Sequence, residues 1–253
     1  MIQITDHGAV RELRLNRPPA NALSPDLMAA LKQAIEAAPG ENALALVLSG
    51  SPGMFSAGLD VPLLLTLDRA AIANAWQALY TLLRTIANSP IPMAAAITGH
   101  APAGGTVLAL FCDWRGAATG NWKMGLNEVQ VGIPLPPLIL GALRRLVGLR
   151  QAERLGVGGL MLSPEQALHV GLVDEVVSPD QLTSRALEWC TGLLKLPRQA
   201  MSATRRQARA DLIELFEHDL DRELSAVTAS WWSEETQSTL RSLAERLASK
   251  APR

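Results

Sequence analysis

Two short apolar runs, each followed closely by glycine, constrain the fold of this chain more than any other feature. Residues 44–48 have the sequence LALVL and precede Gly50, and residues 93–97 have the sequence MAAAI and precede Gly99. A continuous apolar run of this length between turn signals is typical of a strand that is buried on both faces. Residues 9–15 alternate only partly, as a half-exposed strand would. The sequence therefore predicts at least one largely buried sheet.

Serine–proline pairs mark the places where helices begin between these strands. Ser24, Ser163 and Ser178 each precede a proline, and the second and third each match a capping box completed by glutamine. Such a serine accepts a hydrogen bond from a free N–H of the first helical turn, and proline suits the first helical position. Strands that alternate with helices predict an α/β core.

Charged residues are distributed unevenly along the 253 residues, of which 48% are hydrophobic and 19% charged. Residues 1–195 carry 29 charged side chains, about 15%, and residues 196–253 carry 18, about 31%. A typical globular domain has roughly 25%. We therefore expect a dense core in the first part and solvated helices in the second. Two helices are predicted there, over residues 211–232 and 233–249, and no strand is predicted after Pro197.

The composition excludes several classes of protein. A chain this apolar can bury a large core, which excludes wholesale disorder. The 23 basic residues nearly balance 24 acidic ones, so a nucleic-acid partner is not expected. The apolar runs are too short to span a bilayer, and the N-terminus has no basic segment before an apolar stretch, so neither a membrane span nor a secretory signal is expected. Two cysteines favour a reducing compartment.

Two glycine-containing turns and one glutamate are the candidates for chemistry. The turns, residues 55–60 and 99–105, follow the two buried strands, and the second leads into an apolar helix. Glycine lets a backbone approach a ligand closely, and free N–H groups at a helix start suit an oxyanion. Glu128 lies among apolar residues, and burial raises the pKa of a carboxyl so that it accepts protons near neutral pH. Ordinary strand–helix turns and a surface glutamate are the alternatives.

Other kinds of site find little support in the sequence. The chain has no phosphate-binding loop and no nucleophile elbow. Its four histidines are scattered, with none four residues from another, so no metal site is predicted. Cys112 lies in an apolar helical pattern and is interpreted as a packed core thiol.

In their order along the chain, these segments together resemble the crotonase superfamily, also called the enoyl-CoA hydratase/isomerase family. The resemblance covers nearly the whole chain and rests on residues 15–18 (LNRP), 21–23 (NAL), 56–60 (SAGLD), 97–99 (ITG), 102–105 (PAGG), 112–113 (CD), 125–128 (GLNE) and 167–177 (ALHVGLVDEVV). It implies an α/β fold in which residues 1–195 form a crotonase-like spiral of β-β-α units with the acyl-CoA site. Residues 196–253 would form a C-terminal α-helical region that assembles a homotrimer or a dimer of trimers.

The resemblance also implies which residues form the site. The backbone N–H groups of Leu59 and Gly104 would make an oxyanion hole for the thioester carbonyl of an acyl-CoA substrate, and Glu128 would be the catalytic residue. Further substrate contacts would come from Ser56, Ala57, Gly58, Asp60 and Asn127. The resemblance implies no cofactor and no metal, because coenzyme A is part of the substrate.

Position 107 separates two reactions within this family. Hydratases that the chain resembles use two glutamates, and the position of the first falls on Val107, which cannot activate a water. Moving a double bond from C3 to C2 needs one base. The resemblance therefore implies a Δ3,Δ2-enoyl-CoA isomerase of the mitochondrial type, acting in fatty-acid β-oxidation. A hydratase or other enolate-forming CoA enzyme, and an idle acyl-CoA-binding protein, are the alternatives.

Three further expectations concern the tail and the location of the protein. Trp231 and Trp232 would pack at a subunit interface, cap the acyl tunnel or pack within the tail. Lys250 or a nearby arginine would bind the CoA phosphates or be a solvated charge at a helix end. The protein is expected in the cytoplasm of a bacterium, or in the mitochondrial matrix if a presequence is removed.

Overall fold

Nine strands in residues 1–250, the part of the chain that the structure describes, form two sheets. The structure is a computed structural model, and the predicted role of the Lys250 side chain lies outside what it describes. The strands are β1 (Ile2–His7), β2 (Val10–Leu15), β3 (Ala45–Ser49), β4 (Gly53–Met54), β5 (Met93–Ile97), β6 (Gly99–Pro102), β7 (Trp114–Ala118), β8 (Met124–Gly125) and β9 (Glu175–Val177). The larger sheet has the order β1-β2-β3-β5-β7-β9 and the smaller one β4-β6-β8. All neighbours pair in parallel except β1 and β2.

Helices follow the strands in a repeated order. They are α1 (Pro25–Ala37), α2 (Val61–Leu64), α3 (Arg69–Ala87), α4 (Gly104–Leu110), α5 (Pro137–Gly158), α6 (Pro164–His169), α7 (Leu182–Leu194), α8 (Arg198–Ala208), α9 (Ala210–Glu214), α10 (Leu220–Trp231) and α11 (Glu234–Lys250), with 3-10 turns at Ala38–Glu41 and Glu128–Val131. Strands β3, β5 and β7 each lead into a strand of the smaller sheet and then into helical structure. This repetition confirms the predicted α/β class and its β-β-α units.

The two apolar runs form β3 and β5, and both strands are buried along their whole length. One face of the sheet belongs to the main core, and the other packs against α7. That second face includes Ala94 and Ala96, whose small side chains lie in a cluster with Leu182, Ala186 and Cys190 of α7. The prediction of strands buried on both faces is therefore confirmed.

The predicted half-exposure of β2 is wrong, because two of its three polar side chains, those of Arg11 and Glu12, are buried with partners. Arg11 is 7% exposed and Glu12 is 3% exposed. The Arg11 guanidinium donates to Asp6 Oδ1 at 2.7 Å, and Glu12 Oε1 accepts from Ser49 Oγ at 2.6 Å. A charge that is paired and hydrogen-bonded tolerates burial, so the alternating sequence does not indicate a solvent-facing side.

Two of the three predicted serine caps are confirmed. Ser24 Oγ accepts from Leu27 N at 3.2 Å, and Ser163 forms the complete capping box with Gln166. The predicted box at Ser178 is wrong, because the carbonyl of Ser178 accepts the N–H of Gln181 at 3.0 Å. That bond closes a turn, and α7 begins only after it, without a side-chain cap.

The predicted helix over residues 211–232 is two helices, α9 and α10. The end of α9 tightens into bonds between residues three apart, such as Phe216 N to the Ile213 carbonyl at 3.0 Å. Asp219 then accepts the N–H of Arg222 at 3.0 Å and starts a new helix. Short acidic side chains favour such caps over helix interiors, which explains the interruption.

Side chains of the C-terminal helices belong to the main core. Leu212 and Trp231 are each 1% exposed and lie in the same cluster as residues of the larger sheet, so Trp231 packs in the core. The Arg69 guanidinium lies 5.5 Å from the centre of the Trp232 ring. The boundary at residue 196 and the role of the region in trimer formation stay predictions. No helix in residues 1–250 combines the length and hydropathy needed to cross a bilayer.

Asp113, between α4 and β7, links the C-terminal helices to the sheet. Its Oδ1 accepts from Arg205 Nε at 2.8 Å and lies 3.1 Å from Arg209 Nη1. Its Oδ2 accepts from Arg205 Nη2 at 2.9 Å and from the Met93 backbone N–H at 2.8 Å. Arg209 also donates to the carbonyl of Phe111 at 2.7 Å. These side chains are about nine-tenths buried, so the cluster is a structural ion network.

Replacing Gly99 by alanine is expected to destabilise the protein by at least about 2 kcal/mol. A Cβ atom at Gly99 would lie 1.9 Å from the carbonyl carbon of Gly53, so β4 and β6 must separate. The matched control is Gly192→Ala in α7, where a Cβ atom meets nothing within 4 Å and should stabilise the helix by about 0.5–1 kcal/mol. Urea unfolding of both variants measures the difference, and equal stabilities would contradict the expectation.

Candidate active site

The three predicted site segments leave the same edge of the smaller sheet. Strand β4 is followed by residues 56–60, β6 by Gly104, and β8 by Asn127 and Glu128. Because β4, β6 and β8 pair in parallel, their carboxyl ends lie at one edge, where ligands commonly bind to open α/β sheets. The segments that carry all eight predicted site residues therefore follow the strands at one edge of the smaller sheet.

The first two segments touch through their glycines. Gly58 has a φ of +83°, which favours glycine. A Cβ atom on Gly58 would lie 2.9 Å from the Gly104 nitrogen, and one on Gly104 would lie 3.0 Å from the Gly58 Cα. The two backbones are therefore in direct contact, and a side chain at either position would force them apart.

Two backbone N–H groups at this contact, those of Leu59 and Gly104, have no acceptor among residues 1–250. Their neighbours do have acceptors. The N–H groups of Ala57, Gly58 and Asp60 donate to oxygens of the chain at 2.9–3.2 Å. Gly104 is the first residue of α4, where the N–H groups of an α-helix have no partner within the helix. Each of the two touching loops thus carries one free N–H donor, at Leu59 beside Gly58 and at Gly104.

Hydrogen bonds fix the third segment to the second. Thr106 Oγ1 accepts the N–H of Gly125 at 2.8 Å and donates to the carbonyl of Ala101. The N–H of Ala103 donates to the carbonyl of Gly125 at 2.8 Å. The end of β8 is therefore held against the start of α4, and Glu128 follows three residues later.

Glu128 is a buried acid with an unpaired oxygen. It is 7% exposed, and its Oε2 has no hydrogen-bond partner among residues 1–250. The Oδ1 atom of Asn127 is also buried and unpaired there. Burial raises the pKa of Glu128 to about 7. The alternative of a surface glutamate is therefore wrong, and buried unpaired polar atoms on two consecutive residues are a feature that calls for a functional explanation.

Asp60 and Ser56 are engaged within the protein. Asp60 Oδ2 lies 2.6 Å from Arg17 Nη2, and Oδ1 accepts the N–H of Leu63 at the start of α2. Ser56 is fully buried, and its hydroxyl donates to the carbonyl of Asn21 at 2.8 Å. Both side chains thus hold the loop in shape, and contacts of residues 56–60 with a substrate stay predictions.

Sequence reasoning gave no role to two residues that hold this loop. The Asn21 side-chain amide donates to the carbonyls of Met54 and Phe55 at 3.2 and 3.1 Å, and Arg17 pairs with Asp60. Both residues lie in segments that carry the resemblance, but their partners are distant in sequence. Position 107 is apolar and buried, with Val107 1% exposed in α4. Residues 1–250 contain no group of three or more His, Cys, Asp or Glu side chains placed to hold a metal ion.

Comparison with known proteins identifies the family. The enoyl-CoA hydratase/isomerase family model matches residues 5–251. A human protein named mitochondrial enoyl-CoA delta isomerase 1 is 35% identical over 208 residues, 81% of this chain and 69% of that protein. A probable enoyl-CoA hydratase of Mycobacterium avium is also 35% identical, over 81% of this chain and 78% of that protein. The crystal structure of human mitochondrial delta3-delta2-enoyl-CoA isomerase aligns with a TM-score of 0.94 and 30% identity, covering 99% of each chain.

The chain therefore belongs to the enoyl-CoA hydratase/isomerase family and has the crotonase fold. The resemblance inferred from the ordered motifs is confirmed. The family acts in acyl-CoA metabolism. The relatives of this chain include proteins named as isomerases and proteins named as hydratases.

Glu128→Gln is expected to change how stability depends on pH. Because burial raises the pKa of Glu128 from 4.5 to about 7, the folded state binds more protons than the unfolded state between these values. Wild-type stability therefore falls as pH rises from about 4.5 to 7, by roughly 3 kcal/mol from this group, and the amide lacks this contribution. The variant should gain on wild type by that amount between pH 4 and pH 8, measured by urea unfolding. Exposed Glu214→Gln is the control, and a parallel pH dependence of all three proteins would contradict the expectation.

Proposed function

We propose that this protein is a Δ3,Δ2-enoyl-CoA isomerase that moves the double bond of a 3-enoyl-CoA thioester to the 2-position. The proposal depends on Glu128, whose carboxyl is buried, has an unpaired oxygen and has a pKa of about 7. It follows the same edge of the smaller sheet as the free N–H groups of Leu59 and Gly104. A base of this kind is half deprotonated near pH 7 and acts in both directions of proton transfer. The family of the chain supplies the acyl-CoA class of substrate.

One carboxylate is enough for the complete reaction. Glu128 takes a proton from C2, and the electron pair of that C–H bond moves toward the thioester oxygen to form an enolate. The protonated Glu128 then delivers the proton to C4. The enolate electrons form the C2–C3 double bond as the C3–C4 bond becomes single. No atom is gained or lost, so no cofactor is needed.

The N–H groups of Leu59 and Gly104 would stabilise the enolate oxygen. Both lack an acceptor in residues 1–250, and the loops that carry them are in backbone contact. Donors fixed in advance at the place where negative charge develops are worth roughly 2.7–4 kcal/mol each in comparable sites. Ala57 and Gly58 lie beside Leu59 and would line the same channel, and Asn127, adjacent to the base, would orient it or line the acyl pocket.

A hydratase is the second candidate, because several relatives carry that name. Addition of water across a double bond is best served by two carboxylates acting on one water. The three site segments contain two acids, and one of them, Asp60, is already bound by Arg17 and the start of α2. Val107, at the position where a second acid is expected in hydratases, is apolar. These observations favour the isomerase.

Glu128→Gln is expected to reduce isomerase activity by at least about 100-fold, because the amide neither accepts nor returns the proton. The measurement follows conjugation of the product in the ultraviolet with a trans-3-enoyl-CoA, and Glu214→Gln on the surface is the control. A 2-enoyl-CoA is assayed beside it for hydration.

Three outcomes would overturn the proposal. Undiminished activity in Glu128→Gln would exclude this residue as the base. A hydration rate comparable to the isomerisation rate would favour the hydratase. Tight binding of CoA esters without turnover of any enoyl-CoA would identify an acyl-CoA-binding protein.

The value of kcat/KM is expected to rise with pH and to level off above about pH 7. The free enzyme must hold Glu128 in the deprotonated form to accept the C2 proton, and its pKa is about 7. Below that pH, activity should fall about tenfold per pH unit. A profile measured from pH 5 to 9 checks this, and a plateau that extends down to pH 5 would show that a different group is the base.

A further inference from the structure

Helix α11 lies against both sides of the candidate site. Its residues pack on α2, which directly follows residues 56–60, and on the 3-10 turn Glu128–Val131. The helix belongs to the C-terminal region, and none of the sequence motifs assigns it a part in the reaction. Its contact with the turn is therefore a candidate for a function beyond packing.

The contact with the turn is made by Thr236, which is fully buried. Its hydroxyl donates to the carbonyl of Gly132, and it accepts a hydrogen bond from Ser233 Oγ at 2.8 Å. Ser233 Oγ also accepts the N–H of Thr236 at 3.2 Å, which caps the start of α11. The result is a chain of hydrogen bonds from the helix start to the turn.

Gly132 is the residue that closes the turn of Glu128. It has a φ of +75°, and its N–H donates to the carbonyl of Val129 at 3.2 Å, within the turn that begins at Glu128. A Cβ atom at this glycine would lie 3.1 Å from the Thr236 Cα, so the helix and the turn are in close contact. The next N–H, that of Ile133, donates to the Glu128 carbonyl at 3.0 Å. Gly132 and the residue after it are therefore hydrogen-bonded to the backbone of the turn that carries Glu128.

We propose that Thr236 is a positioning residue for Glu128: its hydroxyl holds the Gly132 carbonyl and thereby fixes the turn from which the base projects. The inference rests on the proposed role of Glu128. Catalytic geometry is sensitive, since a misplacement of about 1 Å can reduce a rate about 100-fold. The same bond ties the turn that carries Glu128 to α11, and burial of the carboxyl is what raises its pKa to about 7.

Thr236→Val is the direct test, because valine keeps the shape of threonine and removes the hydroxyl. We expect kcat for a 3-enoyl-CoA to fall about 10- to 100-fold while KM changes less than about threefold. Thr236→Ser keeps the hydroxyl and should retain kcat within about threefold. The matched control is Thr239→Val on the same helix, where the hydroxyl bonds only to the Glu235 carbonyl of α11. This control should behave as wild type.

The pH profile separates positioning from a loss of stability. If the turn loosens in Thr236→Val, water reaches the carboxyl, and the acid limb of kcat/KM should move below pH 7 toward the ordinary range of a glutamate. A variant that is only less stable would keep the limb of the wild type. An unchanged limb and kcat in Thr236→Val, or equal losses in Thr236→Ser, would overturn the proposal.

A readout without turnover separates this inference from the proposed function. The difference in pH-dependent stability between each protein and its Glu128→Gln derivative reports the pKa of Glu128 directly. Thr236→Val should lose at least half of the difference that wild type shows between pH 4 and pH 8, and Thr239→Val should keep it. An inactive wild type that shows this pattern would refute the isomerase and retain the positioning role.

Ser233→Ala is the second variant if Thr236→Val does not fold. It keeps the Thr236 hydroxyl and removes the group that donates to it, so we expect a three- to tenfold loss of kcat and a smaller shift of the acid limb. If Ser233→Ala has the same kcat and the same acid limb of kcat/KM as wild type, the proposed positioning role is overturned.

Discussion

The structure of the site depends on how closely β4 approaches β6. Their backbones meet where Gly53 faces Gly99, at a distance that leaves no room for a Cβ atom. The same close approach recurs a few residues later, where Gly58 touches Gly104. Strands β4 and β6 pair over only two residues, so the close contact between their glycines also restrains their relative position. The distance between the loops that carry the free N–H groups depends on this contact.

The burial of Glu128 raises the pKa of its carboxyl and also makes the ionised form unfavourable for the stability of the fold. A lone carboxyl in an apolar site is unfavourable when it is ionised, and its unpaired oxygen has no compensating bond in residues 1–250. The surrounding structure must therefore hold the group in place by other means. The 3-10 turn, its closing glycine and the contact with α11 supply these restraints. The packing around such a site offsets the unfavourable free energy of burying the carboxyl, which its own interactions do not offset.

Local signals in the sequence were sufficient for most of the fold. The run at residues 93–97 coincides with β5, and the caps at Ser24 and Ser163 form as predicted, because each depends on neighbours within three or four residues. The errors have a common cause. The capping box at Ser178 does not form, because the Ser178 carbonyl accepts a backbone N–H instead. The burial of β2 depends on partners such as Asp6 and Ser49, which the alternation of residues does not reveal.

The site was only partly accessible from the sequence. The order of the glycine turns and of Glu128 pointed to the candidate site, because the resemblance depends on that order. The groups that hold it in place were not found, since Asn21 bonds residues 33 and 34 positions away and Thr236 bonds a carbonyl 104 positions away. Such pairs follow from the topology of the chain. No local pattern of residue types marks them.

The ion network at Asp113 has a consequence for how the chain holds together. Composition divides the chain near residue 196, but Arg205 and Arg209 cross that division and neutralise a carboxylate that also binds the first residue of β5. A cut at the division would remove both arginines that form ion pairs with this buried acid, beside an interior strand of the larger sheet. The C-terminal helices therefore share a buried ion network with the residues that border the larger sheet. A change at Arg205 or Arg209 would therefore act on β5 through Asp113, in addition to the apolar contacts that the C-terminal helices make with the main core.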